Sequence, residues 1–392
     1  MTTRSLKFAG YLLLLVAAVA PACRAQYIPG TPCPAHQWAN GYGFTTGLAC
    51  AQPSFGDIAG TANAGQVSGA FAGFVNKLRG NSLSQWYGGT SMTIATSGGW
   101  ASEGVYVVPA GASVTASQVV SPQSGGPYFA LKILGAASNT DVKLRFPIES
   151  YSAAVLAGQT VTFQITYQNK SGGSLTPTLT TKYAGAQDNW TSPTTDLSAG
   201  SMQSCANNAI CTAAYTLAVA AGANNGYTPT VDFGALTSGN YIEIVSFDMR
   251  VTAGVATGPN AAPPTPEYLL PSDDAAWCRR FYQTTYDNGT APGTATHSGL
   301  VGGFNYDRGV TTFVGVSLGF PIPLRASPTV SFWDGAGNSG RESVYVVGSG
   351  FTDNVAAAPS AAATSTQGMV LGQNTTDSFL IHYAADARIA GA

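Results

Sequence analysis

Short segments in which apolar and polar residues alternate recur along most of the chain. In 159–168 every second residue from Val161 to Tyr167 is apolar, and the residues between them are Thr or Gln. Complete or partial versions of this pattern occur in 91–96, 104–109, 128–134, 141–148, 176–183, 241–251, 309–318, 328–333, 343–347, 368–371 and 378–387. Many short strands separated by turns predict an all-β chain built of jelly-roll-like β-sandwiches.

Composition agrees with this prediction. Charged residues make up 9% of the chain and Gly occurs 47 times, whereas ordinary globular proteins carry about 25% charged residues. Few charges with many Gly and Thr residues suit strands joined by tight turns better than they suit helices. The 17 Lys and Arg residues are dispersed, which argues against nucleic acid as a partner because phosphate binding needs clustered basic residues.

The first 25 residues have the form of a secretory signal peptide. Arg4 and Lys7 precede an apolar run over 8–20, and small residues follow it. The run is shorter than the roughly 20 residues of a membrane span, although an uncleaved anchor is the alternative. We therefore expect a secreted, extracellular or virion-associated protein. Residues 26–75 are poor in charge and large apolar side chains, which predicts an extended N-terminal stalk.

The remaining cysteines allow two short disulfides in an oxidising compartment. Cys33 and Cys50 flank a Gly-rich loop at 38–43, and Cys205 and Cys211 are close in sequence. Each bridge would stabilise the fold by about 2–3 kcal/mol. Cys278 is left over, and a small buried apolar role is predicted for it. No Cys or His spacing typical of a zinc site occurs, so the sequence predicts neither a metal nor a cofactor.

Changes in composition divide the rest of the chain. We predict a jelly-roll sandwich over 76–253, a Pro-rich linker over 254–266 and a C-terminal β-sandwich over 267–392. In the first sandwich, 128–134 and 141–148 predict neighbouring strands, and Pro109 is expected to end the strand before them. One short helix is predicted at the junction, with Ser272 as its cap and acidic residues in its first turn.

Four groups of residues resemble a family of bacteriophage tail-fibre and minor structural proteins. They are Glu267 with the Cys-Arg-Arg-Phe-Tyr run at 278–282, the Phe-Pro segment at 320–330, the terminal strand at 381–387, and 148–169 in the first sandwich. The resemblance covers roughly 75–390, in matching order. It implies a carbohydrate-binding-like jelly roll and a homotrimeric fibre. Such a fibre would contact other tail proteins and attach to a cell-surface glycan or lipopolysaccharide.

Two other functions stay open. A signal peptide would suit an exported bacterial adhesin or surface protein of prophage origin. A polysaccharide depolymerase would need two carboxylates that face one site, but the odd offset between Glu243 and Asp248 predicts that they lie on opposite faces of one strand. The three histidines are isolated in sequence, so no Ser-His-Asp arrangement is predicted. We therefore expect a non-enzymatic protein without catalytic residues.

Aromatic residues beside Gly-rich or Asn-rich turns are the candidate ligand-binding groups. They are Trp86, Tyr87, Trp100, Trp190 and Trp333. An exposed ring can stack on the face of a sugar while neighbouring polar groups bind its hydroxyls. The alternative is that these rings fill the cores of the sandwiches.

Overall fold

A computed structural model describes residues 38–43, 47–51, 76–304, 312–346, 349–355, 360–375 and 378–389. The chain divides into two compact units, Met1–Asn63 and Ala64–Ala392. The predicted signal peptide and most of the predicted stalk, with Cys33 and the Cys50 side chain, lie outside the described residues. Within the described part, no helix is both long and apolar enough to cross a membrane.

An antiparallel hairpin is what the structure describes of the first unit. Strand β1 (Trp38–Gly43) pairs with strand β2 (Gly47–Ala51), with a register shift between Ala39 and Gly41. The Gly-rich segment predicted as a loop is therefore a strand. Glycine is tolerated there because a bulge interrupts the ladder between Ala39 and Gly41.

Two antiparallel sheets form the first sandwich of the second unit. Their strands are β3 (Ser91–Ile94), β4 (Gly99–Trp100), β5 (Tyr106–Ala110), β6 (Val114–Val120), β7 (Phe129–Leu134), β8 (Asp141–Arg145), β9 (Thr160–Lys170), β10 (Thr178–Tyr183), β11 (Thr194–Ser201), β12 (Ile210–Ala218), β13 (Tyr227–Asp232), β14 (Tyr241–Val251) and β15 (Gly258–Pro259). One sheet has the order β11-β10-β13-β8-β5-β4, and the other has the order β15-β12-β9-β14-β7-β6-β3. A short helix, α1 (Ser150–Ala153), and a 3-10 helix, Ala221–Asn225, lie in the connections.

The core of this sandwich lies between the two sheets. The alternate residues Phe163 and Ile165 of β9 are fully buried in it, together with Leu144 of β8 from the opposite sheet. Phe146 bridges the layers, with its ring centroid 4.7 Å from that of Phe247 in β14. Burial of these side chains supplies the main stabilisation, at about 1.5–3 kcal/mol for each large apolar residue. The prediction of an all-β fold with β-sandwiches is confirmed.

The linker after β14 covers the polar face of the same sheet. Gln164 Nε2 donates to the carbonyl oxygen of Pro264 at 2.8 Å, and Asn260 Nδ2 donates to Thr216 Oγ1 at 3.1 Å. Thr162 Oγ1 lies 2.8 Å from Thr216 Oγ1, and both residues are buried. The polar half of the alternating pattern is therefore internal, and its hydroxyls and amides bond to one another and to the linker.

Two local predictions are wrong. Pro109 lies inside β5, where it pairs with Val142 of β8 but has no partner on its other side. Proline fits there because an edge position does not need its missing N–H. Strands β7 and β8 are not neighbours, because β7 pairs with β6 and β14 whereas β8 pairs with β5 and β13. The turn between them crosses from one sheet to the other.

The C-terminal strands are organised around the last one. They are β16 (Tyr282–Thr284), β17 (Val301–Gly303), β18 (Thr312–Gly319), β19 (Thr329–Trp333), β20 (Glu342–Val346), β21 (Gly350–Val355), β22 (Ser360–Thr364), β23 (Gly368–Thr375) and β24 (Phe379–Asp386). Strand β24 pairs with β16 and β19 at its C-terminal end and with β17 and β20 at its N-terminal end. Its alternate residues Ile381, Tyr383 and Ala385 pack in a second hydrophobic core with Leu371. The predicted boundaries at 253 and 267 stay predictions.

Helix α2 (Pro271–Arg279) connects the two cores. Its N-cap is Leu270 and Pro271 occupies the first turn, so Ser272 does not cap it as predicted. Pro suits this place because the first helical N–H has no intrahelical partner. Asp274 is buried, and its carboxylate accepts hydrogen bonds from the N–H groups of Gly80 at 2.7 Å and Ser82 at 3.1 Å. This acid therefore fixes the helix to the segment that enters the first sandwich.

The cysteines of the second unit have two different environments. Cys205 and Cys211 form a disulfide with an Sγ–Sγ distance of 2.08 Å. Cys278 is a free, buried thiol on α2, and burial raises its pKa well above the usual range. The thiol is buried as predicted, but it also donates to Asp274 Oδ1 at 3.8 Å.

Candidate functional site

A cleft of about 400 Å³ opens where the C-terminal sheet meets the first sandwich. We call it the tryptophan cleft, and its lining residues are Trp100, Tyr282, Thr329, Ser331, Trp333, Ala384, Asp386, Arg388 and Ile389. Two indole rings and three hydroxyl-bearing side chains thus share one cavity with a carboxylate and a guanidinium. Four strands, β4, β16, β19 and β24, and the segment that follows β24 position these groups.

Strand β19 provides one wall by its period of two. Thr329, Ser331 and Trp333 point to the cleft, while Val330 and Phe332 pack on the second core. Thr329 and Ser331 are exposed and Trp333 is half-buried. The wall therefore presents two free hydroxyls beside an indole ring.

Strand β24 places the charged groups next to this wall. Asp386 lies opposite Thr329 of β19 on one side and opposite Tyr282 of β16 on the other. Two residues later, the backbone N–H of Arg388 donates to Asp386 Oδ1 at 2.9 Å, and its guanidinium Nη2 lies 2.6 Å from Asp386 Oδ2. This turn folds the arginine back over the carboxylate.

Aromatic rings enclose the same arginine. Its guanidinium carbon lies 4.4 Å from the ring centroid of Tyr282 and 5.1 Å from that of Trp100. Such cation–π contacts contribute about 0.5–2 kcal/mol each, with the larger value where water is excluded. The Arg388 guanidinium is thereby held between Trp100 of the first sandwich and Tyr282 of the C-terminal sheet.

The opposite wall is formed by Trp100 at the end of β4. It pairs with Tyr106 of β5, whose ring meets the indole edge-on with centroids 5.3 Å apart. Gly98 precedes the strand with φ of 85°, and a Cβ there would lie 2.6 Å from Tyr106 Cε1. Glycine at position 98 is therefore needed for this turn, and the turn sets the position of the Trp100 ring.

An inner pocket of about 250 Å³ lies next to the cleft and shares Trp100, Tyr282 and Arg388 with it. Tyr87, Ser102, Glu103 and Pro292 complete its lining. The Tyr87 ring stacks on Tyr282 with centroids 5.4 Å apart. Within the described part of the chain, the buried atoms Ser102 Oγ and Glu103 Oε2 accept or donate no hydrogen bond. Ser102 Oγ is thus a buried polar atom without a hydrogen-bond partner among the described residues, whereas Glu103 Oε2 is within ion-pair distance of Arg388.

Burial changes the proton affinities of the pocket. It raises the pKa of the Glu103 carboxyl, against the opposing charges of Arg79 and Arg388. Arg79 Nε lies 3.2 Å from Glu103 Oε1, and Arg388 Nη1 lies 3.7 Å from Glu103 Oε2. Burial also raises the pKa of Tyr282 to about 12. The phenol is therefore a neutral hydrogen-bonding group at physiological pH.

The structure separates the five predicted aromatic residues. Trp100 and Trp333 line the tryptophan cleft, and Tyr87 lines the inner pocket with 8% of its surface exposed. Trp86 is 0% exposed, with its Nε1–H donating to the Leu83 carbonyl at 2.7 Å, and Trp190 is 7% exposed. Burial argues against Trp86, Trp190 and Tyr87 as rings that stack on a sugar, since a buried ring has no free face, and the binding candidates stay predictions.

Four cleft and pocket residues were not among the sequence candidates. Tyr282 and Asp386 lie inside the segments that carry the tail-fibre resemblance, whereas Glu103 and Arg388 do not. The alternation of Ala384 and Asp386 in β24 was the available signal for one side of the cleft. Glu103 follows β4 in a loop, and its place becomes evident only through Arg79. No group of three or more His, Cys, Asp and Glu residues that could hold a metal occurs among the described residues.

The arrangement suits a neutral, polyhydroxylated ring. A sugar ring has apolar C–H faces that pack on indole and hydroxyls that bond to a carboxylate, a guanidinium or Ser and Thr. A cavity of 400 Å³ is within the range that holds small-molecule ligands. The cleft is therefore a candidate site for one or two sugar units.

No protein-family model matches the sequence, and no curated protein matches it. Among solved structures, the enzymatically active domain of tailspike protein 4 from bacteriophage CBA120 is similar at TM-score 0.30 and 10% identity, over 38% of this chain and 19% of that one. The C-terminal family 22 carbohydrate-binding module of Clostridium thermocellum Xyn10B has TM-score 0.28 and 11% identity, over 44% and 96%. TmCBM61 in complex with β-1,4-galactotriose has TM-score 0.26 and 12% identity, over 45% and 99%.

The match thus spans less than a fifth of the tailspike chain. Similarities this remote do not identify ligand-binding residues in this chain.

Proposed function

We propose that the protein is a non-enzymatic glycan-binding protein and that the tryptophan cleft is its binding site. The observation that carries the proposal is the pair Trp100 and Trp333 in one cavity with Asp386 and Arg388. Stacking on the two rings supplies affinity, and the charged pair orients the sugar hydroxyls. Such a division between apolar area and a few fixed polar groups is common in small-molecule sites.

A binding role suits the carboxylates better than hydrolysis does. Hydrolysis of a glycosidic bond needs one carboxyl to transfer a proton and a second to act as a base or nucleophile. Both Asp386 oxygens already accept hydrogen bonds from Arg388, and Glu103 Oε1 is bonded to Arg79. These acids are held by arginines, which favours fixed recognition over proton transfer.

The biological setting that we propose is attachment to a cell surface. The tail-fibre-like segments around Tyr282 and Asp386 support a trimeric receptor-binding protein of a phage virion, with a surface glycan or lipopolysaccharide as its target. Export through the N-terminal segment would instead suit a prophage-derived adhesin. Detection of the protein in purified virions, or on the surface of cells that release none, separates these settings.

Binding to an array of bacterial surface glycans tests the proposed site. Trp333→Ala removes about 80 Å² of stacking area, which at 25 cal/mol/Å² amounts to about 2 kcal/mol or roughly a 30-fold loss of affinity. Tyr128→Ala is the matched control, because Tyr128 is 70% exposed and lines neither the cleft nor the inner pocket. Equal affinity of Trp333→Ala and wild type would exclude the cleft as the site, and reducing-end release by the wild type would refute the non-enzymatic role.

A further inference from the structure

A second cavity, of about 770 Å³, shares no residue with the tryptophan cleft. Its lining includes Lys77, Glu149, Tyr151, Val155, Trp277 and Arg280, and we call it the basic groove. Helix α1 forms one side and helix α2 forms the other. The groove therefore combines aromatic surface with charge in a second place on the same compact unit.

The aromatic surface of the basic groove is open to solvent. Tyr151 is 82% exposed and Val155 is 49% exposed. Helix α1 buries Ser150 and Ala153, and this orientation turns Tyr151 away from the core. Trp277 on α2 is half-buried, with one part packed on the Trp190 cluster. An exposed apolar patch rimmed by charges marks a site of interaction more often than a structural surface.

The charges of the groove leave cationic donors unused. Arg280 donates hydrogen bonds to the Glu149 carboxylate from Nε at 3.0 Å and from Nη2 at 3.2 Å. Among the described residues, its third nitrogen, Nη1, has no hydrogen-bond partner, and Lys77 has no carboxylate within ion-pair distance. Burial lowers the pKa of Lys77, while the charge of nearby Glu267 acts in the opposite direction. Among its lining residues the groove thus has two cations and one carboxylate, Glu149, while Glu267 acts on Lys77 from outside the lining.

We propose that the basic groove binds an acidic sugar, that is, a pyranose that carries a carboxylate. The sugar ring stacks on Tyr151, and the carboxylate accepts hydrogen bonds from Lys77 Nζ and Arg280 Nη1. A neutral sugar could offer these donors only uncharged hydroxyl oxygens, whereas a carboxylate satisfies them with stronger charge-assisted bonds. Glu149 fixes the guanidinium through its other two nitrogens, so that Nη1 stays directed rather than mobile. The protein would then have one contact for a neutral sugar and one for an acidic sugar.

Titration of the full-length protein with uronic-acid and sialic-acid oligosaccharides, each paired with its methyl ester, tests the assignment. We expect the acids to bind at low salt, the esters to bind at least about tenfold more weakly, and the acid affinity to fall as salt rises. Tyr151→Ala and Lys77→Met should each weaken acid binding by about tenfold or more. Lys182→Met, a change of an exposed lysine outside the groove, should leave it unchanged.

Several results would overturn the assignment. They are equal binding of acids and esters, retention of acid binding in both groove variants, and binding of sugar phosphates but of no sugar carboxylate. Tyr151→Ala guards against misfolding, since Tyr151 is 82% exposed. The proposal that the ligand of the basic groove is a sugar rests on the proposed glycan-binding function. The position of the groove and its charges do not. Trp333→Ala is expected to retain acid binding, so failure of the cleft and failure of the groove give different results.

Discussion

The buried ion pair beside the inner pocket gives the most quantitative prediction. Arg79 and Glu103 are both almost fully buried, with Nε 3.2 Å from Oε1. Arg79 also donates from Nη1 to the Pro147 carbonyl at 2.8 Å, and its guanidinium carbon lies 3.7 Å from the Phe281 ring centroid. The change Arg79→Met keeps much of the apolar stem and removes the charge. It leaves Glu103 with Arg388 as its remaining ion-pair partner, at 3.7 Å.

The cost of this change can be bounded from Glu103 itself. Without Arg79 the Glu103 carboxyl would take up a proton. Protonation of a carboxyl with the usual pKa of 4.5 costs about 1.36 kcal/mol for each pH unit above 4.5, which is roughly 3.4 kcal/mol at pH 7. Loss of the Phe281 contact adds about 1 kcal/mol. We expect the free energy of unfolding to fall by up to about 4–5 kcal/mol, the sum of these two costs and within the range measured when buried pairs are broken. This is a large part of the roughly 5–15 kcal/mol typical of a domain.

The pH dependence of the cost follows from the raised pKa of Glu103. A carboxyl whose folded pKa lies above its unfolded value contributes stability that is present below the unfolded pKa and is lost as the pH rises. Burial already raises this pKa in the wild type, and removal of Arg79 raises it further. The difference in the free energy of unfolding between Arg79→Met and wild type should therefore be greatest near pH 7 and should shrink as the pH falls towards 4.5.

Urea denaturation of wild type, Arg79→Met, Glu103→Gln and the double variant between pH 4.5 and 7.5 measures these energies. We expect the double variant to regain at least about 2 kcal/mol over Arg79→Met, because it no longer contains an unpaired buried carboxyl. A loss below about 1 kcal/mol at pH 7 with no pH dependence would refute the reasoning. It would mean that Arg388 or water compensates Glu103 fully.

Three further changes test other parts of the structure. Gly98→Ala should cost about 1–2 kcal/mol of stability in thermal unfolding and weaken glycan binding, because the new Cβ would displace the Tyr106 ring that packs on Trp100 in the cleft wall; unchanged binding would disprove the link. His382 has a pKa lowered by burial, so the free energy of unfolding should hold above pH 6.5 and fall below it, and a His382→Gln variant should show a smaller fall in urea denaturation. Replacement of Cys205 and Cys211 by Ala should lower the free energy of unfolding by about 2–3 kcal/mol, and reduction should destabilise the wild type by more than this variant.

Period-two alternation was enough to place most strands. Segments 328–333 and 378–387 became β19 and β24 with ends shifted by no more than two residues. The polar half of β9 shows the limit of the same reasoning. Alternation indicates that Thr162 and Gln164 leave the core, but not that the linker then covers them with Asn260 and Pro264. Local pattern fixes the faces of a strand, while distant segments decide whether a face meets water.

The candidate site was less predictable because its residues meet only in the fold. Trp100 and Trp333 were recognised as rings beside turns, yet nothing in the sequence between them indicates that they face one cavity. Arg388 lies beyond the end of β24, where alternation no longer applies. Trp86 has the same local signal as Trp100, but it is buried against Leu83. Burial depends on which strands pair, and that information is long-range.

The segments that resemble tail-fibre proteins meet at the C-terminal end of β24. Tyr282 and Thr329 flank Asp386 in the sheet, and Arg325 Nε donates to the Ala387 carbonyl at 2.7 Å. Three segments distant in sequence thus meet at one strand end. Alternate residues there serve two purposes, because Ala385 packs in the core while Asp386 lines the cleft. Exchanges at the cleft-facing positions such as Thr329 can therefore change ligand preference while the core residues between them keep the fold.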